Sequence, residues 1–410
     1  MRRVIGPLLP VDRFSRVDRR IVFIMWTAGV VQGFAQSQAS ATLPFTRAGL
    51  GLSEGEMSLL LGIARLAAFA ALPLGWIGDR RGRRRPFLWS ITLVIGGGAF
   101  AGLAIESWQF GTAQAVLRTG TAGMSGLAIV LLAEKVAPTI RAYAISFYGA
   151  AVSFGGGLAL MTLPLADGGG DNWRTPHLLI AVALLVVPFL VRNVSESHVF
   201  IEHPEKRNWR ELATGEWARR FWLVVAIGFL VAAYSAVALA FSTSRLIEEL
   251  GLSTGSTVLV ALLGGTLGGL GFFIGGHLAD AWGRRRTTVV SLLLSLGGGL
   301  VIYWSESIPL IVVAVMVSSF GTFAFVPAGG SHRAELFPTG LRASANTAAT
   351  NCALAGSATG LILGVFTIDR FGLSETVATL GVGMATAVFL TLLLPETRGQ
   401  DLTAAFTARR

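Results

Sequence analysis

Twelve apolar runs, each long enough to cross a lipid bilayer as a helix, dominate this chain, and that one feature removes most folds from consideration. They fall at about residues 21–44, 57–77, 87–105, 109–133, 142–165 and 176–194, and then at 221–243, 256–277, 287–304, 308–331, 343–366 and 375–394. At about 20 residues per helix, the 410 residues leave space only for short loops, two tails and one longer linker. Composition agrees, since 53% of residues are hydrophobic and 14% charged, against about 25% charged in a soluble protein. The expected fold class is all-α integral membrane, with twelve transmembrane helices.

The runs also repeat. Arg19-Arg20 recurs as Arg219-Arg220, Leu50-Gly51-Leu52-Ser53 as Leu250-Gly251-Leu252-Ser253, and Glu106-Ser107 as Glu306-Ser307, all displaced by 200 residues. Asp79 matches Asp280, Gly82 matches Gly283, Glu134 matches Glu335 and Arg141 matches Arg342, each displaced by 201. A chain that repeats at half its length predicts two six-helix bundles of equivalent topology, residues 1–194 and 221–410. The repeat also argues against reading Arg19-Arg20 and the apolar run behind it as a cleaved export signal. Residues 195–220 form the linker, where Trp209, Leu212 and Trp217 are spaced as one apolar face among charges, as an interfacial helix would be.

With an even helix count both termini share one side. Of 33 basic residues, four (Arg47, Arg174, Arg245 and Arg370) map to the opposite side, two (Arg65 and Arg118) fall inside helices, and 27 lie on the side of the termini. The positive-inside rule makes that side cytoplasmic. The net charge of +10, which in a soluble chain would point to nucleic acid, is thereby assigned to orientation in the membrane. Membrane lipid and a small solute are the expected partners, and nucleic acid is not. Cys352 alone excludes an internal disulfide and any cysteine metal cluster. Neither a nucleotide motif nor a clustered His/Asp/Glu site is legible, so no cofactor and no enzymatic activity are expected.

Motifs at the helix ends go further. Between helices 2 and 3 the chain reads Gly75-Trp76-Ile77-Gly78-Asp79-Arg80-Arg81-Gly82-Arg83-Arg84-Arg85, and between helices 8 and 9 Gly276-His277-Leu278-Ala279-Asp280-Ala281-Trp282-Gly283-Arg284-Arg285-Arg286. These segments resemble the signature G-x-x-x-D-R-x-G-R-R of the major facilitator superfamily, the second lacking the arginine after the aspartate. Glu134 to Arg141 and Glu335 to Arg342 resemble the E-x-x-P-x-x-x-R segments of sugar-porter-like members, and Pro395-Glu396-Thr397-Arg398-Gly399 is similar to their P-E-T-K-G tail. Helix 5 has Gly155-Gly156-Gly157 without the Gly-Pro pair of many drug/proton antiporters.

The resemblance implies a cytoplasmic gate built from Asp79, Arg83, Arg84, Glu134, Arg141, Asp280, Arg284, Arg285, Glu335 and Arg342. Asp79 would face the start of helix 11 near Ala343, and Asp280 the start of helix 5 near Ala142. Glu134 is expected to pair with Arg84 or Arg141, and Glu335 with Arg285 or Arg342, as exposed pairs worth about 0–1 kcal/mol each. The alternative is that these charges only set topology.

The membrane interior is poor in charge. All 23 acidic residues map to loops, tails or helix boundaries, which leaves proton coupling without a buried carboxylate unless Glu54 or Glu106 sits deeper than mapped. Arg65 and Arg118 stand out at similar depth, 14 residues before Asp79 and 16 before Glu134, where a charge needs compensation. They are candidates to bind an anionic solute. Snorkelling of Arg65 and a structural role for Arg118 are the alternatives. Gln32 and Gln36 on helix 1, Gln114 on helix 4 and Tyr234 on helix 7 are the polar candidates beside them, with helix packing the alternative. The expected function is a secondary transporter in the cytoplasmic membrane, monomeric, moving a small polar or anionic solute by alternating access. An efflux antiporter of the same fold is the alternative, and a membrane sensor or enzyme a weaker one.

Overall fold

A computed structural model describes residues 9–52, 54–166, 170–202, 208, 210–242, 245–400 and 402. Helices dominate it, and twelve of them, α1 to α12, are of spanning length among the described residues. In the first half α1 is Arg16–Ala41, and α2 is built from Glu54–Leu66, a 3-10 stretch Ala67–Ala71 and Leu72–Arg81. Then come α3 (Arg84–Leu103), α4 (Ser107–Lys135), α5 (Arg141–Met161) and α6 (Gly170–Asn193), the last built partly from 3-10 turns. The second half holds α7 (Ala218–Ala240), α8 (Thr254–Gly268 continued by Leu270–Trp282), α9 (Arg284–Trp304), α10 (Ile308–Glu335), α11 (Thr339–Phe371) and α12 (Leu373–Leu392).

Eleven of the twelve are apolar enough to be recognised as spans by hydropathy. The exception, α1, is 26 residues long but carries Gln32, Gln36 and Gln38 in its second half. Large apolar side chains such as Phe23, Leu103, Leu185 and Phe366 are exposed around the outside, as lipid contact requires. Trp108 and Trp304 are exposed at one edge and Trp76, Trp89, Trp222 and Trp282 at the other, the positions of two interfacial aromatic belts.

Buried apolar residues separate into two main clusters, one drawn largely from residues 21–194 and the other from 212–394. Within the halves α1 packs along α5 and α7 along α11; between them α2 meets α11 and α5 meets α8. Gly33 shows why α1 and α5 lie so close, because a Cβ there would sit 1.9 Å from the Val152 carbonyl oxygen. Gly33 therefore serves packing.

Three segments depart from expectation. The signature segments read as loops are almost wholly helical: α2 runs through Arg81 and α3 starts at Arg84, while α8 runs to Trp282 and α9 starts at Arg284. The turns need a glycine, since Gly82 has φ 95° and Gly283 φ 124°. Residues 195–220 are not one interfacial helix. Among the described residues they contain two short helices, His198–Glu202 and Arg210–Thr214, and Leu212 and Trp217 are buried against the second core. Trp209, Glu205, Lys206 and Arg207 lie outside the described residues.

Candidate functional site

The helix ends on the side of the termini are joined across the two halves by a buried charged network with near two-fold symmetry. Asp79 in the last turn of α2 accepts hydrogen bonds from the backbone N–H groups of Ala343 (2.9 Å) and Ser344 (2.7 Å) near the start of α11. Asp280 in the last turn of α8 accepts from Ala142 (3.1 Å) and Tyr143 (2.9 Å) at the start of α5. Each carboxylate thus meets the positive end of a helix in the opposite half.

Two arginines with no exposed surface stand beside them. Arg83 donates to Glu134 (3.2 Å) and, across the halves, to the Thr339 carbonyl (2.6 Å). Arg284 donates to both oxygens of Glu335 (3.1 and 3.2 Å) and across to the Pro138 carbonyl (2.7 Å). Direct cross-half pairs complete the set: Arg141 to Glu335 at 2.5 Å, and Arg342 to Glu134.

Three expectations change here. The arginines that meet Glu134 and Glu335 from the signature segments are Arg83 and Arg284, one position before those expected. Arg84 and Arg285 turn about 100° further round the helix and donate instead to carbonyls at the ends of α6 and α12: Val194 and Val191 for Arg84, Leu394 and Leu392 for Arg285. The pairs from the E-x-x-P-x-x-x-R segments are exchanged between halves, each arginine meeting the acid of the other copy. The pairs are also buried rather than exposed, so desolvation raises the stakes of losing a partner well above the surface range.

Two further acids belong to the network. Glu196 accepts from the backbone N–H of Arg83 (2.8 Å) and Arg84 (3.2 Å), and Glu396 from those of Arg284 (2.8 Å) and Arg285 (3.1 Å). Burial alone would raise the Glu396 carboxyl, but the backbone donors of Arg284, Thr397 and Arg285, with His332, hold it below the ordinary glutamate value. A Cβ on Gly82 would fall 2.2 Å from the Glu196 carboxylate, and one on Gly283 would fall 2.6 Å from that of Glu396. The signal for both acids was in the repeat: Glu196-Ser197 and Glu396-Thr397 are 200 residues apart.

Deeper in the first half, Arg65 on α2 and Arg118 on α4 are close enough for their charges to oppose each other. Both are partly buried, and neither makes a hydrogen bond or ion pair within the described residues. Gln114, one turn before Arg118, is 1% exposed, and neither its Oε1 nor its Nε2 has a partner. Gln36 is half-buried, without a hydrogen bond from the described residues.

The other two polar candidates are engaged. Gln32 donates to Ser125 Oγ (2.7 Å) and accepts from the Tyr148 hydroxyl, tying α1, α4 and α5 together. Tyr234 points into the second half, where its hydroxyl donates to the Leu296 carbonyl (3.3 Å). It lines a cavity of about 170 Å³ with hydroxyls that include Ser295, Ser318 and Thr322. Glu106 is exposed at the N-cap of α4; the side chain of Glu54 lies outside the described residues.

The model of the Major Facilitator Superfamily matches residues 25–279 and 248–409. The chain is similar to a probable 4-methylmuconolactone transporter of Cupriavidus pinatubonensis, 27% identical over 404 residues that cover 94% of this chain and 92% of the relative. It is similar to the inner membrane metabolite transport protein YhjE of Escherichia coli, 27% identical over 375 residues that cover 82% and 84%. Among solved structures, the proton:xylose symporter XylE bound to 6-bromo-6-deoxy-D-glucose matches with a TM-score of 0.76 at 18% identity, over 94% of this chain and 98% of that one. At that identity the match speaks for the fold.

Proposed function

The chain belongs to the major facilitator superfamily, and on that premise we propose which class of solute it carries and how its closed end works. It is a multi-pass secondary transporter, not an enzyme. Its substrate is a small organic anion bound at Arg65 and Arg118. The observation that carries this is two neighbouring guanidinium groups with no carboxylate between them, at a depth where each is costly to bury. A substrate carboxylate or phosphate replaces their repulsion with charge-assisted, bidentate hydrogen bonds. Gln114, with both polar atoms unpartnered, and Gln36 supply neutral donors and acceptors nearby. The relatives named for a muconolactone and for metabolites support a small metabolite.

Both termini lie in the cytoplasm, because 27 of the 33 basic residues fall on their side, and the described state is closed toward it. Residues 1–194 and 221–410 rock about the bound solute while residues 195–220 join them. Asp79, Arg83, Glu134, Arg141, Asp280, Arg284, Glu335 and Arg342 form the gate, with Arg84 and Arg285 bracing α3 and α9 behind it. Removing one partner of a buried pair costs about 3–5 kcal/mol. Opening, by contrast, passes every partner to water together, so the net bias is far smaller and the exchange stays reversible.

A thermal-shift screen of the purified protein against sugars, amino acids and organic anions tests the substrate class. An organic anion is expected to stabilise the protein, and Arg65→Ala or Arg118→Ala to weaken its apparent affinity about 10- to 100-fold, the range of one lost charged hydrogen bond. An anionic hit that both variants bind as well as the wild type overturns the assignment.

A further inference from the structure

At the edge that carries the termini, the ends of α1, α4 and α6 enclose a second concavity of about 370 Å³, far along the chain fold from Arg65 and Arg118. Arg16, Arg20, Lys135, Arg192 and His198 line it, and among the described residues no carboxylate does. Arg16, Arg192 and His198 are exposed and make no hydrogen bond or ion pair with the described residues. Arg20 is held by Asn193 Oδ1 (2.8 Å), and Lys135 Nζ by the Ser195 carbonyl and hydroxyl (2.5 Å each). Arg16 and Arg20 also stand on the first turns of α1, where the helix dipole opposes a cation.

Orientation in the membrane does not account for the whole of this cluster, because the repeat breaks at three of its five basic positions. The positions 200 or 201 residues on from Arg16, Lys135, Arg192 and Ser195 are Glu216, Leu336, Leu392 and Pro395. Arg20 and His198 keep basic counterparts in Arg220 and Arg398, so the gate is kept in both halves and the full set of five basic residues in the first alone. One wall is apolar: Val17, which is 67% exposed, with Ile21 and Ile24 behind it. The opening therefore lies where a lipid tail and a charged headgroup meet.

We propose that this concavity binds a phosphate group, carried by an anionic phospholipid headgroup or by a soluble phosphate. Guanidinium forks and a lysine ammonium are the donors that match phosphate oxygens, and basic pockets between helices at this edge suit anionic headgroups. The site adjoins the gate through the chain itself, Lys135 following Glu134 and Ser195 preceding Glu196. Its occupation steadies the ends of α4 and α6 that hold the closed state.

The test is a thermal-shift titration of the full-length protein in neutral detergent with short-chain phosphatidylglycerol, short-chain phosphatidylcholine and inorganic phosphate. It is run on the wild type, the double variant R16A/R192A and the control R219A, which removes an exposed arginine outside the concavity. Phosphatidylglycerol is expected to stabilise wild type and R219A, with the double variant weakened about 10- to 30-fold. A lipid source predicts no response to inorganic phosphate, and a soluble source predicts that phosphate alone reproduces the effect. Equal responses from wild type and double variant, an equal loss in R219A, or an equal effect of phosphatidylcholine each overturn the proposal.

Discussion

The two ends of the molecule are held by different physics. At the end of the termini, Asp79, Asp280, Arg83, Arg284, Arg141 and Arg342 reach across to the opposite half, and these residues are at most 4% exposed. At the other end the ion pairs of Arg174 with Asp171 and Arg245 with Glu249 each stay within one half, and their acids are 78% and 40% exposed against 21% and 12% for the arginines. The same residue types thus do unlike work. A buried pair across the halves ties two bodies together, while an exposed pair within one half braces a helix end.

The largest expected effect breaks that contrast outright. Arg284→Ala leaves buried Glu335 with Arg141 as its one cation and buried Asp280 with its backbone donors alone, and is expected to cost about 3 kcal/mol. Arg245→Ala at the opposite end is expected to cost about 1 kcal/mol or less. Thermal denaturation of the two variants side by side checks this, and equal losses would mean that the ends are not distinct.

A smaller effect sharpens the comparison to the gate itself. Asp79→Asn keeps the shape but loses the charge facing Ala343 and Ser344 at the start of α11. Charged hydrogen bonds contribute about 1.5–3 kcal/mol. Thr347 is fully buried beneath this contact, against Gly75 and Gly126. In a Cys352→Ser background, a cysteine at Thr347 is expected to react about tenfold faster or more with an impermeant thiol reagent once Asp79→Asn is added. An unchanged rate would show that this carboxylate does not hold the end closed.

The smallest effect depends on pH. The Glu396 carboxyl is held below its ordinary value, so it stabilises the fold above the unfolded-state value. That contribution is lost as pH falls through the lower, folded-state value. Glu396→Gln is expected to lower the melting temperature at neutral pH and to converge with the wild type at the acid extreme. A constant offset across the whole range would assign Glu396 a packing role instead.

Much of this was legible in one sequence because membranes leave few choices. The helix count follows from spanning lengths, and the partners of Asp79 and Asp280 from the resemblance of the signature segments to those of the family. What the sequence misplaced turns on direction. Periodicity puts Gln32 and Gln36 on one face of α1, yet whether that face meets α4 and α5, as it does at Gln32, is a matter of packing. Tyr234 is as polar as any candidate and still points into its own bundle.

The sequence alone determined that an all-helical chain crosses a membrane many times, since the number and length of its apolar runs leave few other arrangements. Only the tertiary structure decided that Glu134 takes Arg342 while Glu335 takes Arg141. Pairing within each copy and pairing between copies use the same residues at the same spacings. What separates them is the distance left between two packed bodies, which a linear pattern of charges does not contain.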